Sequence, residues 1–231
     1  MNKKPANRIL AGLPDAALAR LMPLLKPVEL AAGQRLSEPE ATSGFIYFPE
    51  SSVISCFADM SDGKSPEVGM IGFEGVADVA FLLDSRQSHS LSVSIAGSAL
   101  RGSKKDVARE IFQGNGAQQA ILEYAAQYVG QLSQRAACAV VHKLEQRFAI
   151  WLLLVTDRVK SDVIHITHER IAEYLGARRA GITVIALDMQ ATGTITNSRG
   201  RLRVMDRSRL EAMACECYSA LTLPQPRTVN Q

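Results

Sequence analysis

Arg178 and Arg179, followed by Arg199, Arg201 and Arg203, are the side chains best placed by type and spacing to do chemistry in this sequence. The chemistry is recognition rather than bond making. A guanidinium bonds bidentately to phosphate oxygens or to guanine O6 and N7, the latter worth about 1–3 kcal/mol of base discrimination. Between His165 and Arg209 there are eight Arg, no Lys and four acidic residues. Thr167, His168 and Arg170 stand at a helix start, where free N–H groups and the helix dipole favour a phosphate. Thr183 lies one turn beyond Arg179, within reach of a thymine methyl or a phosphate.

The elements that must position these groups are legible around them. Thr167 is a natural N-cap and Glu169 complements the dipole in the first turn. Ile171, Ala172 and Leu175 form an inward stripe, and Gly176 permits a tight turn. Ile182, Ile185, Ala186 and Met189 make a second buried stripe. That is helix-turn-helix spacing, which would place the N-terminal residues of the second helix in a DNA major groove. Thr194-Ile195-Thr196, the turn Asn197-Ser198-Arg199-Gly200, and Arg201-Leu202-Arg203-Val204 then read as a two-stranded wing. Period 2 sends Leu202 and Val204 to the core and Arg201 and Arg203 to solvent, with Ser198 and Arg199 at the tip. Gly181, early in the second helix, costs about 1 kcal/mol relative to Ala. It permits close approach either of DNA or of a neighbouring helix.

Other constellations are weaker. Cys215 and Cys217 resemble a pair of thiolate ligands, but Glu211–Tyr218 reads as helix, which separates i and i+2 around the axis. No metal site is therefore expected, nor any cofactor beyond an unidentified small-molecule effector. His165-x-x-His168 reads as a cap and a phosphate contact. Cys56 and Cys138 read as buried apolar residues. A P-loop, a dinucleotide glycine fingerprint, a Gly-x-Ser-x-Gly elbow and a His-Glu-x-x-His motif are all lacking.

Composition agrees with a folded globular protein rather than a secreted or membrane one. The 231 residues are 47% hydrophobic, enough for a core and too apolar for disorder as the main state. The net charge of +3 is divided unevenly. Residues 1–140 carry 13 basic and 14 acidic groups, net −1, and residues 141–231 carry 13 and 9, net +4. The longest apolar run, Phe148–Val155, is far short of the roughly 18–20 residues that cross a bilayer, so no membrane partner is expected. Four Cys in a chain this long do not make a disulfide scaffold, which points to a reducing, cytoplasmic compartment.

Upstream of the arginines, Leu18, Leu21, Met22 and Leu25 mark a short helix after Pro14 that ends near Pro23. From about Val28 to Arg101, turn signals separate short runs such as Phe45–Phe48 and Ser52–Phe57. Leu91, Val93 and Ile95 alternate with polar or small residues, the mark of a half-buried strand in a sandwich, barrel or jelly roll. Lys104–Phe112 forms a short helix. Ala117–Ala139 runs as a long helix in which Ile121, Ala125, Tyr128 and Leu132 are spaced 4-3-4, the seam of a two-helix coil. Its rival is a helix packed on its own β domain. A further helix near His142–Val155 presents Phe148, Trp151, Leu152 and Val155 on one face.

In this order of elements the chain resembles the Crp/Fnr superfamily of bacterial transcription regulators. The residues that carry the resemblance are Ile166–Gly176, Arg178-Arg179 and the wing up to Arg203, with Asn7–Leu13 and Val28–Leu36 similar to the entry into that family's β-roll. The resemblance implies an α+β protein with a jelly-roll sensor domain over residues 1–116, a dimerisation helix over 117–139 and a winged helix-turn-helix over 140–231. It implies a homodimer reading double-stranded DNA at half-sites roughly 34 Å apart, with RNA polymerase as a further partner. Members that bind cyclic AMP usually carry Gly-Glu, then Arg-Ser/Thr-Ala. Here Phe73 splits Gly72 from Glu74, and Arg86 is followed by Gln87, with Ser88 next. Gly72, Glu74, Arg86 and Ser88 are thus the effector residues the resemblance implies, in a degraded form that points away from cyclic AMP. In the recognition helix, Ala180 and Val184 stand where the best-known members have Glu and Arg, so the operator should differ. No Cys precedes Cys56, which excludes an N-terminal iron–sulfur cluster. Two alternatives remain. One is a β-roll sensor acting only through protein contacts. The other is a cupin-type metalloenzyme, which needs two or three His in the roll, where only His89 is found.

Overall fold

The computed structural model describes residues 4–38, 44–79, 89–113 and 116–222. The chain begins with α1 (Arg8–Ala11) and α2 (Asp15–Leu21). Asn7 caps α1 by accepting from Leu10 N at 3.2 Å, while its amide donates to the carbonyls of Pro49 and Gly75 at 3.0 and 2.8 Å. This buried cap fastens the first helix to the strands beyond it. Pro23 falls in a single 3-10 turn, Met22–Leu24, that ends the helical run; a ring without an N–H cannot continue it.

Seven strands follow among the described residues: β1 (Leu25–Leu30), β2 (Arg35–Ser37), β3 (Phe45–Pro49), β4 (Val53–Phe57), β5 (Glu67–Ile71), β6 (Ser90–Ile95) and β7 (Gly97–Ser103). All pair antiparallel, in a three-stranded sheet β1-β7-β3 and a four-stranded sheet β2-β6-β4-β5. The two sheets enclose Ile46, Phe48, Ile54 and Val93 completely. The alternation in β6 predicts one buried face, but the strand is buried on both. Leu91 and Val93 point into the roll, whereas Val53, Phe57, Met70 and Ile95 join the core of the C-terminal domain. The second cover comes from helices packed on the outside of the four-stranded sheet.

Helix α3 (Lys104–Ile111), capped by Ser103, leads to α4 (Ala117–Val141) and α5 (Leu144–Val159). The long helix runs two residues past the expected end and stops where His142 turns extended. Its expected seam is corrected by the packing. Ile121 and Tyr128 are buried in the roll's own core, with Leu132 partly buried against it and Ala125 half-buried. Close approach is possible because Gly69 and Gly75 lie under the Tyr128 and Tyr124 rings, where a Cβ would collide with both phenols. The opposite face, with Leu122 at 46% and Val129 at 61% exposure, is left uncovered by the described residues.

The C-terminal domain contains β8 (Val163–His165), α6 (His168–Tyr174), α7 (Arg179–Ala191), β9 (Ile195–Ser198), β10 (Arg201–Val204), α8 (Arg207–Met213) and α9 (Cys217–Leu221). The wing is three-stranded rather than two-stranded, because β10 pairs with both β9 and β8. Every residue of α5 from Phe148 to Thr156 is buried, not one face alone, because the helix lies between the winged helix and the roll. The expected helix over 211–218 is broken at Ala214, whose backbone is extended (ψ 153°). None of the described helices is long and apolar enough to cross a membrane.

Candidate nucleic-acid interface

Thr167 has the extended backbone of an N-cap, and its hydroxyl accepts from Arg170 N at 3.3 Å. Helix α6 stops at Leu175, and Gly176, at φ +60°, makes the turn that returns Ala177 N to Ala172 O at 2.8 Å. Arg178 caps α7 and Arg179 begins it. Ile182, Ala186 and Met189 turn inward with Ile171 and Ala172, which leaves Arg178, Arg179, Val184 and Leu187 exposed. Val184, which the resemblance already sets at a base-reading position, is 58% exposed; Leu187, at 56%, is not identifiable from sequence, where apolar helix residues read as core. On a recognition helix they suit contact with thymine methyls. Gly181 faces α5, with Leu144 Cδ2 3.4 Å from where a Cβ would sit, so of its two readings the neighbouring helix is the one occupied here.

His168 fastens the three parts of the interface together. Its Nδ1 lies 3.1 Å from Thr183 Oγ1 on α7, and its Nε2 meets the Asn197 side-chain amide on β9. Burial, and then the charge of Arg179, hold the imidazole below its usual pKa. A neutral ring offers one donor and one acceptor. The Thr183 hydroxyl donates to Arg179 O at 3.0 Å. The consistent assignment therefore runs from the Asn197 amide to His168 Nε2, from His168 Nδ1–H to Thr183, and from Thr183 to the α7 backbone. The polar atoms of His168 and Thr183 are already satisfied, so the phosphate contacts expected of them give way to positioning roles, while the thymine-methyl contact expected of Thr183 does not involve those atoms. Two further bonds hold the wing. Asn197 N donates to Gln190 Oε1 at 2.8 Å, and Ile166 N to Gly200 O at 2.8 Å.

At the wing tip, Arg199 (φ 49°) and Gly200 (φ 75°) form a two-residue connection between Ser198 and Arg201. Paired positive φ values are those of a type I′ hairpin turn, which matches the strand twist. A left-handed backbone costs a non-glycine residue about 1–2 kcal/mol, so the turn places Arg199 at the apex against its preference. Leu202 and Val204 are buried while Arg201 and Arg203 are exposed, as alternation predicts. Arg178, Arg199, Arg201 and Arg203 make no ion pair among the described residues. Arg170 pairs with Glu173 at 2.9 Å, and Arg179 approaches Glu169 at 3.6 Å with both side chains about 70% exposed. Such solvated pairs are weak and yield readily to a phosphate.

The expected effector residues fare differently. Glu74 is held by Arg158 of α5 at 2.7 Å, with both side chains at most 7% exposed. Gly72 lets Arg158 pass, since its Cγ lies 2.7 Å from where a Cβ would sit. The stretch that resembles a nucleotide-binding turn is thus a seat for the C-terminal domain, and the effector reading of Gly72 and Glu74 is corrected accordingly. Arg86 and Ser88 lie outside the described residues.

Comparison with known proteins agrees with this geometry. Residues 146–213 match the Crp-like helix-turn-helix domain. No curated protein matches the sequence. Among solved structures, a putative CRP/FNR-family transcriptional regulator from Eubacterium rectale superposes with a TM-score of 0.68 at 17% identity, over 89% of this chain and 97% of that one. A CRP-family regulator from Thermus thermophilus gives 0.68 at 15%, over 82% and 96%. The c-di-GMP-responsive global regulator CLP of Xanthomonas campestris gives 0.66 at 13%, over 84% and 100%. These structures are of transcriptional regulators, and the cupin-type enzyme reading is set aside. The chain carries a Crp-like helix-turn-helix domain joined by a long helix to a β-roll, and its fold is that of the solved CRP/FNR-family regulators.

Proposed function

We propose that the protein is a sequence-specific DNA-binding transcription regulator that acts as a homodimer and answers to an effector other than cyclic AMP. The observation that carries this reading is the convergence of α6, α7 and the wing on His168, with Arg178, Arg179, Arg199, Arg201 and Arg203 left to solvent around them. Arg178 and Arg179 read base edges, and the wing arginines and Thr167 grip phosphates. The dimer forms through the uncovered face of α4, where Leu122, Ala126, Val129 and Ser133 repeat at 4-3-4 spacing and are all exposed. Such a protein works in the cytoplasm, beside the genome.

Thr167, Arg170 and Arg199 line a cleft of about 350 Å³ whose other wall is Ala32, Gly33 and Ser94 of the roll. The roll thus crowds one edge of the DNA-binding face. Release of the winged helix from the roll is the step that a signal would favour, as a shift between two populated arrangements. The occupation of Glu74 by Arg158 argues against a nucleotide clamp. A cavity of about 680 Å³ between the roll, α4 and α5, lined by Val68, Leu91, Leu132, Trp151 and Leu154, suits a small apolar ligand instead.

Selection of bound sequences from random duplex DNA tests the proposal. A two-fold symmetric site with half-sites about one turn apart is expected, with affinity falling steeply with salt. A pool with no enriched sequence would overturn it in favour of a sensor acting through protein contacts.

A further inference from the structure

Cys138 and Cys215 are 77 positions apart in sequence, yet their sulfurs lie 3.7 Å apart in the fold. Cys138 sits in the last turn of α4, and His142 is the extended residue that closes that helix. From the other side, α8 ends at Met213, Ala214 turns extended, and Cys215 and Cys217 lie on the segment entering α9. The break in the expected helix is what lets two cysteines at i and i+2 face one point. Cys217 Sγ lies 3.6 Å from His142 Nδ1. One ligand atom from each of the four residues falls within 4.8 Å of all the others.

These spacings are those of a tetrahedral ion's ligand shell. With Zn–S about 2.3 Å and Zn–N about 2.0–2.1 Å, the sulfur–sulfur edge of a tetrahedron is about 3.8 Å and the sulfur–nitrogen edge about 3.6 Å. Two neighbours supply the supports that metal ligands usually have. His142 Nε2 faces Glu216 Oε1 at 3.3 Å, so the ring's other nitrogen is the one turned to the sulfurs. The Gln134 amide donates to Cys217 Sγ at 3.0 Å, a bond that favours a thiolate. The three cysteines are buried, at 5, 6 and 2% exposure. Three thiols alone would be ordinary apolar packing, but an imidazole nitrogen aimed among them adds a polar atom that packing does not require. A Cys138–Cys215 disulfide would leave Cys217 and His142 without a role. A four-iron cluster gives each thiolate its own iron and spreads the ligands wider than this group.

We propose that Cys138, His142, Cys215 and Cys217 bind one divalent ion of the zinc class in a closed Cys3His site. On binding, the three thiols release three protons, the thiolates and the neutral imidazole each donate a lone pair, and the site acquires a net charge of −1. Four protein ligands leave no open position, so the ion is structural rather than catalytic. It ties the end of α4 to the last segment of the winged-helix domain. That bond lies across the junction on which the orientation of the DNA-binding face depends.

The test is titration of reduced, full-length protein with Co2+ and then Zn2+. The expected result is one Co2+ per chain, with the visible bands of tetrahedral cobalt–thiolate, displacement by Zn2+, and uptake of metal accompanied by proton release. Cys138→Ser and Cys217→Ser should reduce bound cobalt from one equivalent to near zero, while Cys56→Ser, outside the group, keeps it. His142→Cys retains all four ligands and should keep one equivalent with a shifted spectrum, which guards against loss through misfolding. Glu216→Gln, removing the orienting carboxylate, should weaken zinc binding about 10-fold. The proposal is overturned if the reduced wild-type chain takes up no cobalt. It is equally overturned if bound cobalt is unchanged in Cys217→Ser, or if the protein isolated from cells carries a Cys138–Cys215 disulfide or a sulfide-containing iron cluster.

Discussion

Eight arginines between His165 and Arg209 have two different fates, and the difference lies in their partners. Arg207 is bound by Asp157 and Glu211, each at 2.8 Å, and Arg209 by Asp206 and the Thr192 carbonyl. These two hold the domain together. Arg178 and the wing arginines have no ion-pair partner among the described residues, Arg170 and Arg179 have only solvated ones in Glu173 and Glu169, and these six divide by position. In the proposed complex Arg179, on the helix that would enter the groove, discriminates bases; Arg179→Ala should then cost about 1–3 kcal/mol on the preferred site and little on others. In the same proposed complex Arg201, on the wing, meets phosphate. Arg201→Ala should weaken binding to all sequences alike and lower the salt slope by about 1. Affinities on a panel of variant sites at two salt concentrations separate the roles, and uniform losses in both variants would refute the base-reading assignment. The spacing of these arginines is legible in the sequence because they flank a helix-turn-helix stripe. The ties of Arg207 are not, because Asp157 comes from α5. Nor is the network of His168, which joins residues up to 29 positions apart. That network has a pH signature. With the folded pKa lowered, the unfolded imidazole, at about 6.5, takes up its proton first. The stability that His168 contributes is therefore full above about pH 6.5 and is lost as pH falls towards the folded value. Denaturation midpoints at pH 7.5 and 5.5 should fall further in the wild type than in His168→Gln. Equal falls would remove the network from the account.

Helix α4 carries two stripes of apolar or small residues displaced by one position. Ile121, Ala125, Tyr128 and Leu132 form one, and Leu122, Ala126, Val129 and Ser133 the other. Both repeat at 4-3-4, so spacing alone identifies a long helix with a partner on each side and cannot say which partner is internal. The stripe with the larger side chains faces the roll, where Tyr128 fills the space left by Gly69. The smaller stripe is the one the proposed homodimer would use. Adjacent substitutions should then have opposite consequences. Val129→Asp places a charge on the uncovered face and should yield folded monomers with weakened DNA binding, read by sedimentation and by gel shift. Tyr128→Ala removes a core ring and should cost about 3–5 kcal/mol of stability. A Val129→Asp protein that remains dimeric would move the interface elsewhere. The same ambiguity accounts for α5 and β6. One apolar face or one alternating face is what the sequence predicts for each, and a second layer of structure then covers the side left over.

At the scale of the whole molecule, the two domains share a core. Phe57 and Met70 leave the roll's outer face to pack with Trp151 and Tyr174 of the C-terminal domain, and the Phe57 and Tyr174 ring centroids are 5.2 Å apart. A buried ion pair reinforces the contact, Arg158 of α5 with Glu74, and Arg135 of α4 holds Glu67 of the roll. None of this is visible in the sequence, where each domain reads as complete in itself and Glu74 reads as a ligand contact. The consequence is that the DNA-binding face is held beside Ala32 and Gly33. Under the proposed function, a duplex would engage Thr167 and Arg199 fully only after the domains part. The apparent affinity for DNA is then the intrinsic affinity reduced by the fraction of molecules that are open. An aromatic pair contributes about 0.5–1.5 kcal/mol beyond its area. Loss of the Phe57–Tyr174 pair should therefore move the balance towards the open form by that amount or more. Phe57→Ala is expected to raise operator affinity about two- to tenfold in the absence of effector, while lowering the thermal midpoint. Phe148→Ala, which removes a ring from the C-terminal core, should lower the midpoint without that gain. Unchanged or weaker operator binding in Phe57→Ala would mean that the contact between roll and winged helix does not restrain DNA recognition, and that the closed arrangement already binds.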